Sequence, residues 1–201
     1  MTNNSFAQQY LIEARQIIDQ LDIGPIDRMT QLLADLRADG GRLFIVGVGG
    51  GAGHASHAVN DFRKIAGIEA YSPSDNVSEL TARTNDEGWD TTYAAWLKVS
   101  RLAATDMIFV FSVGGGDVKR NISANIVRAV QYAKQVGAKV IGVVGRDGGY
   151  TASVADACVI VPTANPNAVT PHTESFQAMI WHLLVSDPRL QQMPNKWESS
   201  H

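Results

Sequence analysis

The sequence predicts an α/β protein: a doubly wound, mainly parallel sheet flanked by helices, with two extra helices ahead of the first strand. Three observations carry this. Short apolar runs at 43–46, 107–111, 139–144 and 158–161 alternate with longer stretches of helical periodicity, the pattern of βα units. Three of those runs end in glycine-rich turns, at 47–51, 112–116 and 145–149. The chain has 201 residues, which suits one domain of this class, expected over 1–190 with a loose tail at 191–201.

The elements follow in order. Phe6, Tyr10, Leu11, Ala14, Ile17, Ile18 and Leu21 recur at three- and four-residue spacing and predict a helix over 5–21, broken by Gly24–Pro25. Ile26, Met29, Leu32, Leu33 and Leu36 form a second stripe, closed by Gly40–Gly41. Neither helix belongs to a βαβ unit, so this pair, within 1–40, packs on the sheet or against another subunit. Residues 43–46 are uninterrupted and apolar, as in a strand buried on both faces. A helix is expected over 52–65, a short strand at 67–71, and a helix over 76–83 capped near Ser74–Asp75. Asn85–Asp86–Glu87–Gly88 reads as a polar break before a helix over 90–103. Beyond the strand at 107–111 come a helix over 121–136, strands at 139–144 and 158–161, a proline-rich loop at 163–171 and a last helix over 172–185.

Composition narrows the function classes. A net charge of −3 gives no footprint for nucleic acid. Charged residues are 18% of the chain, below the usual share of about 25%, which suggests surface covered by other subunits. Cys158 is the only cysteine and sits in an apolar run, so it is expected to be a buried small hydrophobe. The first ten residues lack the charged-then-apolar order of a signal peptide. No run reaches the roughly 18 apolar residues of a membrane helix, and a cytoplasmic protein is expected.

The stretch 42–57, RLFIVGVGGGAGHASH, organises the rest. A strand, a glycine turn and a helix start together can bind an anion, because bare backbone N–H groups and the helix dipole converge there. The same turn also serves as a plain βα corner, but its recurrence at three strand ends favours a phosphorylated ligand at the carboxyl edge of the sheet. His57 and Asp61, four apart, share one helix face, where they either hold a metal or hydrogen-bond each other. Glu174 and His182 are about 12 Å apart along a helix, and meet one metal only if Glu174 lies at a bent helix start, which Pro171 would favour.

Taken together, these motifs resemble a sugar isomerase (SIS) domain, and more closely its phosphoheptose isomerase branch. The resemblance covers nearly the whole chain. It rests on the turn Gly47–Gly51 followed by His57 and Asp61, on Asn85–Asp86, on the turn 112–117, on Gly145–Arg146–Asp147–Gly148–Gly149, and on Glu174 with His182. It implies an aldose–ketose isomerase converting sedoheptulose 7-phosphate to a manno-heptose 7-phosphate through an enediol, in a homotetramer with sites at subunit interfaces. By the same resemblance Asp61 is the base and His182 the acid. His57, Asp61, Glu174 and His182 are the ligands of zinc or another divalent metal. Gly49, Gly50, Gly51, Asn85, Asp86, Ser112, Gly114, Gly115, Lys119 and Glu174 contact substrate. The chain departs from the family's pattern in four respects. Asp61 stands for a glutamate, one methylene longer. Glu174 stands for a glutamine. The family's phosphate-binding hydroxyls fall at Gly51, Val113, Gly114 and Asp117, leaving Ser112, with Lys119, Arg120 and Ser123 near enough to compensate. His54 stands for a residue that is usually acidic, and it is given no role; His172 is expected at the surface.

Two other function classes fit less of the sequence. A non-catalytic SIS module that binds a sugar phosphate or a protein in a regulatory role has no use for an acid and a base, though the lost hydroxyls suit it. A dinucleotide oxidoreductase would need an acidic residue about twenty positions beyond the turn, where only Glu69 stands, in a poor context.

Overall fold

The structure is a computed structural model and describes residues 5–193. Helices α1 (Phe6–Gln20) and α2 (Gly24–Ala38) precede β1 (Leu43–Gly47) and α3 (Gly50–Lys64). The chain continues through β2 (Ala70–Tyr71), α4 (Val77–Glu87), α5 (Thr92–Val99), β3 (Met107–Ser112), α6 (Ala124–Val136), β4 (Lys139–Val144), α7 (Gly149–Val154), β5 (Ala157–Ile160) and α8 (Val169–Ser186). The five strands form one parallel sheet in the order β2-β1-β3-β4-β5.

Alternation along the strands divides the core. Leu43, Ile45, Met107, Phe109, Phe111, Ile141 and Val143 face a layer that holds Met29, Leu33, Phe62, Ile180 and Trp181 from α2, α3 and α8. Phe44, Val46, Ile108, Val110 and Val140 face Tyr93 and Leu97 of α5 and Ile126 and Val130 of α6. Both faces of the central strands are therefore dry, which is why these runs are continuously apolar. β1 connects to β2 on one side, and the chain then returns to β3 on the other. The switch between β1 and β3 opens a crevice at their carboxyl ends, the usual ligand position in such sheets.

Several boundaries differ from expectation for identifiable reasons. α4 continues through Asn85–Glu87 to Gly88, whose φ is +86°, because Arg83 pairs with Glu79 and Glu87 one turn to either side. Its cap is Asn76, which accepts from the N–H groups of Ser78 and Glu79. Gly24–Pro25 opens α2, with the proline in its first turn, where no N–H is needed. α8 begins at Val169, before Pro171. Gln192 and Met193 donate to the carbonyl of Ile65, so the predicted tail starts pinned; 194–201 lie outside the described residues. α1 buries only Glu13 and Ile17 and leaves Phe6, Leu11 and Ile18 exposed.

Candidate active site

Helices α3 and α8 lie side by side and bring His57, Asp61 and His182 together, with one ligand atom from each within 4.8 Å of the others. Asp61 is buried, and its Oδ2 is 3.5 Å from Nε2 of His57 and 3.5 Å from Nε2 of His182. The carboxylate is held in place. Trp181 Nε1 donates to Oδ2 at 3.0 Å, and Asn60 Nδ2 donates to Oδ1 at 3.0 Å. Trp181 is itself buried, with Phe111 5.6 Å and His57 5.3 Å away by ring centroid. Nδ1 of His182 lies 2.8 Å from the carbonyl of Ala178. A carbonyl only accepts, so Nδ1 carries a proton, and in that tautomer Nε2 is the nitrogen that faces Asp61.

That donor set fits a divalent metal. Ligand atoms about 2.0–2.2 Å from a tetrahedral zinc lie about 3.3–3.5 Å apart, close to both His–Asp separations here. A lone pair facing a carboxylate oxygen across such a gap is repulsive until a cation sits between them. Two imidazoles and a carboxylate with a fourth side open match the pattern of catalytic rather than structural zinc.

Glu174 is not part of this group. α8 is regular helix from Val169, so Glu174 stays about 12 Å from His182 along the axis, and the bent start that would bring them together does not occur. Its carboxylate instead lies over the first glycine turn, where a Cβ placed on Gly50 would be 2.5 Å from both of its oxygens. Negative charge is favourable at that end of α3, and Glu174 lies beside Gly50 there.

The second and third glycine turns lock together backbone to backbone. Tyr150 N–H donates to Gly116 O at 2.8 Å, and Thr151 N–H to Gly115 O at 2.9 Å. A side chain on Gly115 would collide with the carbonyl of Gly148, and Ser112 Oγ accepts from Gly115 N–H at 3.0 Å. Gly115 is thus a packing residue, whereas Ser112, Gly114 and Lys119 line a pocket of about 950 Å³ at the carboxyl edge of β3 and β4. Arg120 and Ser123 line it too. Asp117 accepts from the N–H groups of Arg120 and Lys119, which hold its carboxyl below the usual range. Its charge is thereby turned into its own loop. None of the His57–Asp61–His182 group lines this pocket.

Other residues fall elsewhere. Asn85 and Asp86 are exposed near the end of α4, bonded to each other at 2.7 Å, and belong to neither the pocket nor the triad. His172, expected at the surface, is buried, with Nε2 3.0 Å from Oε2 of Glu13 and Tyr10 stacked on its ring. His54 bonds Gln177 Oε1 at 3.1 Å. Burial pushes the Cys158 thiol up to about 12, as for an inert residue. Sequence reasoning missed Trp181 and Asn60 as holders of Asp61; Trp181 is 120 positions away and carries no local signal.

A switch-point crevice with interlocked glycine turns and a His–Asp–His group on the flanking helices define the class: a doubly wound α/β protein with a buried carboxylate set between two imidazoles. A family model described as SIS domain matches residues 9–145, and the chain belongs to that family. It is 34% identical over 164 residues to the lincomycin biosynthesis protein LmbN of Streptomyces lincolnensis, covering 77% of this chain and 58% of that one. It is 30% identical over 186 residues to the phosphoheptose isomerase of Syntrophotalea carbinolica, covering 88% of each. The solved phosphoheptose isomerase of Neisseria gonorrhoeae superposes with a TM-score of 0.75 at 24% identity, over 89% of this chain and 94% of that one. No helix among the described residues is long and apolar enough to cross a membrane.

Proposed function

We propose that the protein is an aldose–ketose isomerase of phosphosugars, acting on sedoheptulose 7-phosphate. The observation that carries this is the buried Asp61 carboxylate, fixed by Trp181 and Asn60 and set 3.5 Å from Nε2 of both His57 and His182. Similarity over most of the chain to proteins named phosphoheptose isomerase supports the substrate class.

Isomerisation moves one proton between C1 and C2 of an open-chain sugar. Asp61 takes that proton and returns it to the neighbouring carbon, keeping one face of the sugar throughout. Asn60 and Trp181 fix the carboxylate so that little reorganisation is needed at the moment of transfer. His182, which carries a proton on Nε2 only as imidazolium, serves the substrate oxygens. Zinc held by His57, Asp61 and His182 would occupy Nε2 of His182 and polarise the sugar's carbonyl in place of that proton donor. The exposed apolar side chains Phe6, Leu11 and Ile18 on α1, with Ile23 just beyond it, suit burial between subunits, in a homotetramer in the cytoplasm. A regulatory module would gain nothing from burying a carboxylate between two imidazoles.

The test is turnover of a panel of ketose and aldose phosphates, followed by NMR in deuterium oxide. Sedoheptulose 7-phosphate should be isomerised with solvent deuterium entering at C1 or C2. No turnover of any member of the panel would refute the reading.

A further inference from the structure

The seam between α3 and α8 carries a histidine that the proton-transfer group leaves unused. The two helices run in the same direction along it. Glu174 lies beside Gly50, Gln177 bonds His54, and Trp181 and His182 reach Asp61. His54 therefore stands between the first glycine turn and the buried carboxylate, on the face of α3 that also carries His57 and Asp61.

The ring of His54 is held by a chain of bonds that starts in the sheet. Gln177 is buried, and its Nε2 donates to the carbonyl of Val143 on β4 at 3.2 Å. That leaves Oε1 of Gln177, which only accepts, 3.1 Å from Nδ1 of His54. Nδ1 therefore carries a proton, and in that tautomer the ring's one acceptor is Nε2. Trp181 packs on the ring at a centroid distance of 5.1 Å, and Phe111 meets it edge-on at 6.4 Å. Nε2 has no partner among the described residues and is open to solvent. His57 and His182 are exposed along the same seam. A side chain that only filled space between Trp181 and Phe111 would need no tether to a buried amide, since an apolar ring packs there with nothing to satisfy.

A sugar with C1 and C2 at Asp61 extends along this seam toward the carboxyl edge, where Val48 of the first glycine turn lines the pocket. Seven residues of helix separate His54 from Asp61, about 10 Å along the axis. Two polar contacts of about 3 Å and three carbon–carbon bonds advancing about 1.2 Å each cover that span. Three bonds beyond C1 or C2 is C4 or C5.

We infer that Nε2 of His54 accepts a hydrogen bond from the hydroxyl on C4 or C5 of the open-chain sugar. His54 is thus a specificity-determining residue for that hydroxyl, and Gln177 is the positioning residue that keeps Nε2 bare. The identity of the donor as a sugar hydroxyl rests on the isomerase reading; the tautomer does not.

Turnover of sedoheptulose 7-phosphate beside its 4-deoxy and 5-deoxy analogues tests it. Wild type should use one of the two analogues with kcat/KM lower by about tenfold, as the loss of one hydrogen bond implies. His54→Phe keeps an aromatic ring against Trp181. It should lose the same factor on the parent sugar and no longer distinguish it from that analogue. A His54→Phe variant that discriminates as wild type does would overturn the proposal, and so would a wild type indifferent to both analogues. Imidazole nitrogen NMR of the wild type needs no variant to fold. It should show His54 protonated at Nδ1, with the Nε2 signal moving upfield when the heptitol phosphate made by reducing the carbonyl is added. A proton on Nε2 in the free protein, or an Nε2 signal that the heptitol phosphate leaves in place, would also overturn it. Gln177→Met should let the His54 proton redistribute between the two nitrogens, which a packing role alone would not do. If wild type turns over no sugar phosphate, the isomerase reading fails and His54 loses its donor; turnover with unaltered discrimination in His54→Phe fails the role of His54 alone.

Discussion

Replacing Trp181 by phenylalanine probes how Asp61 is made ready for proton transfer. The change deletes the indole N–H that donates to Asp61 Oδ2 at 3.0 Å and leaves a ring of similar shape in the packing against Phe111. A hydrogen bond to a charged group contributes about 1.5–3 kcal/mol. If that energy holds the carboxylate in its reactive position, its loss lowers kcat by about tenfold to about 150-fold, at 1.36 kcal/mol per tenfold. The smaller ring also costs packing, so the melting temperature should fall as well. The two effects separate in a kinetic assay with thermal unfolding run alongside. KM for the sugar phosphate should hold, because Trp181 touches the carboxylate and does not line the pocket, while kcat drops. A variant with wild-type kcat and a lowered melting temperature would show that Trp181 only packs, and that Asp61 needs no donor.

Metal content distinguishes the three-residue centre from the four-residue set that the family resemblance suggests. His182→Ala should lose bound zinc in elemental analysis of the purified protein, while Glu174→Ala should retain it, since Glu174 lies beside Gly50 and outside the cluster. The buried contact between α1 and α8 predicts an acid sensitivity. Hydrogen bonds from His172, then from Gln9 and Asn165, hold the Glu13 carboxyl below its ordinary value of 4.5, against the opposing effect of burial. A carboxyl depressed on folding contributes stability that is full above its unfolded value and is lost as pH falls through the folded one. Urea midpoints should therefore decline from about pH 5 downward in the wild type. Glu13→Gln should flatten that slope and lower the midpoint at pH 7; an unchanged profile would remove the pair from the stability of the fold.

The layered α/β architecture was legible because each central strand is apolar on both faces and each turn is marked by glycine. What escaped was set at long range or by competition between local preferences. The Asn85–Asp86 pair looks like a break, yet Arg83 bridging Glu79 and Glu87 carries the helix to Gly88. α7 has six residues, too few for a helical period to register. His172 is buried by a partner 159 positions away. At the site, the His57–Asp61 spacing was readable from the helix period, and the meeting with His182 was expected from the family resemblance. Glu174 was misjudged because its place depended on where α8 starts, and Pro171 tolerates a start two residues before it. The glycines of the third turn look like a second phosphate cradle in sequence but are spent on backbone packing against Gly115 and Gly116.

The most direct test of the whole reading is solvent deuterium exchange into sedoheptulose 7-phosphate by the Asp61→Asn variant, followed by NMR beside the wild type. An amide cannot accept the proton. Deuterium incorporation and isomerisation should therefore both fall by at least a thousandfold, while the variant still binds the sugar phosphate. Exchange at the wild-type rate in Asp61→Asn would contradict the assignment of Asp61 as the base.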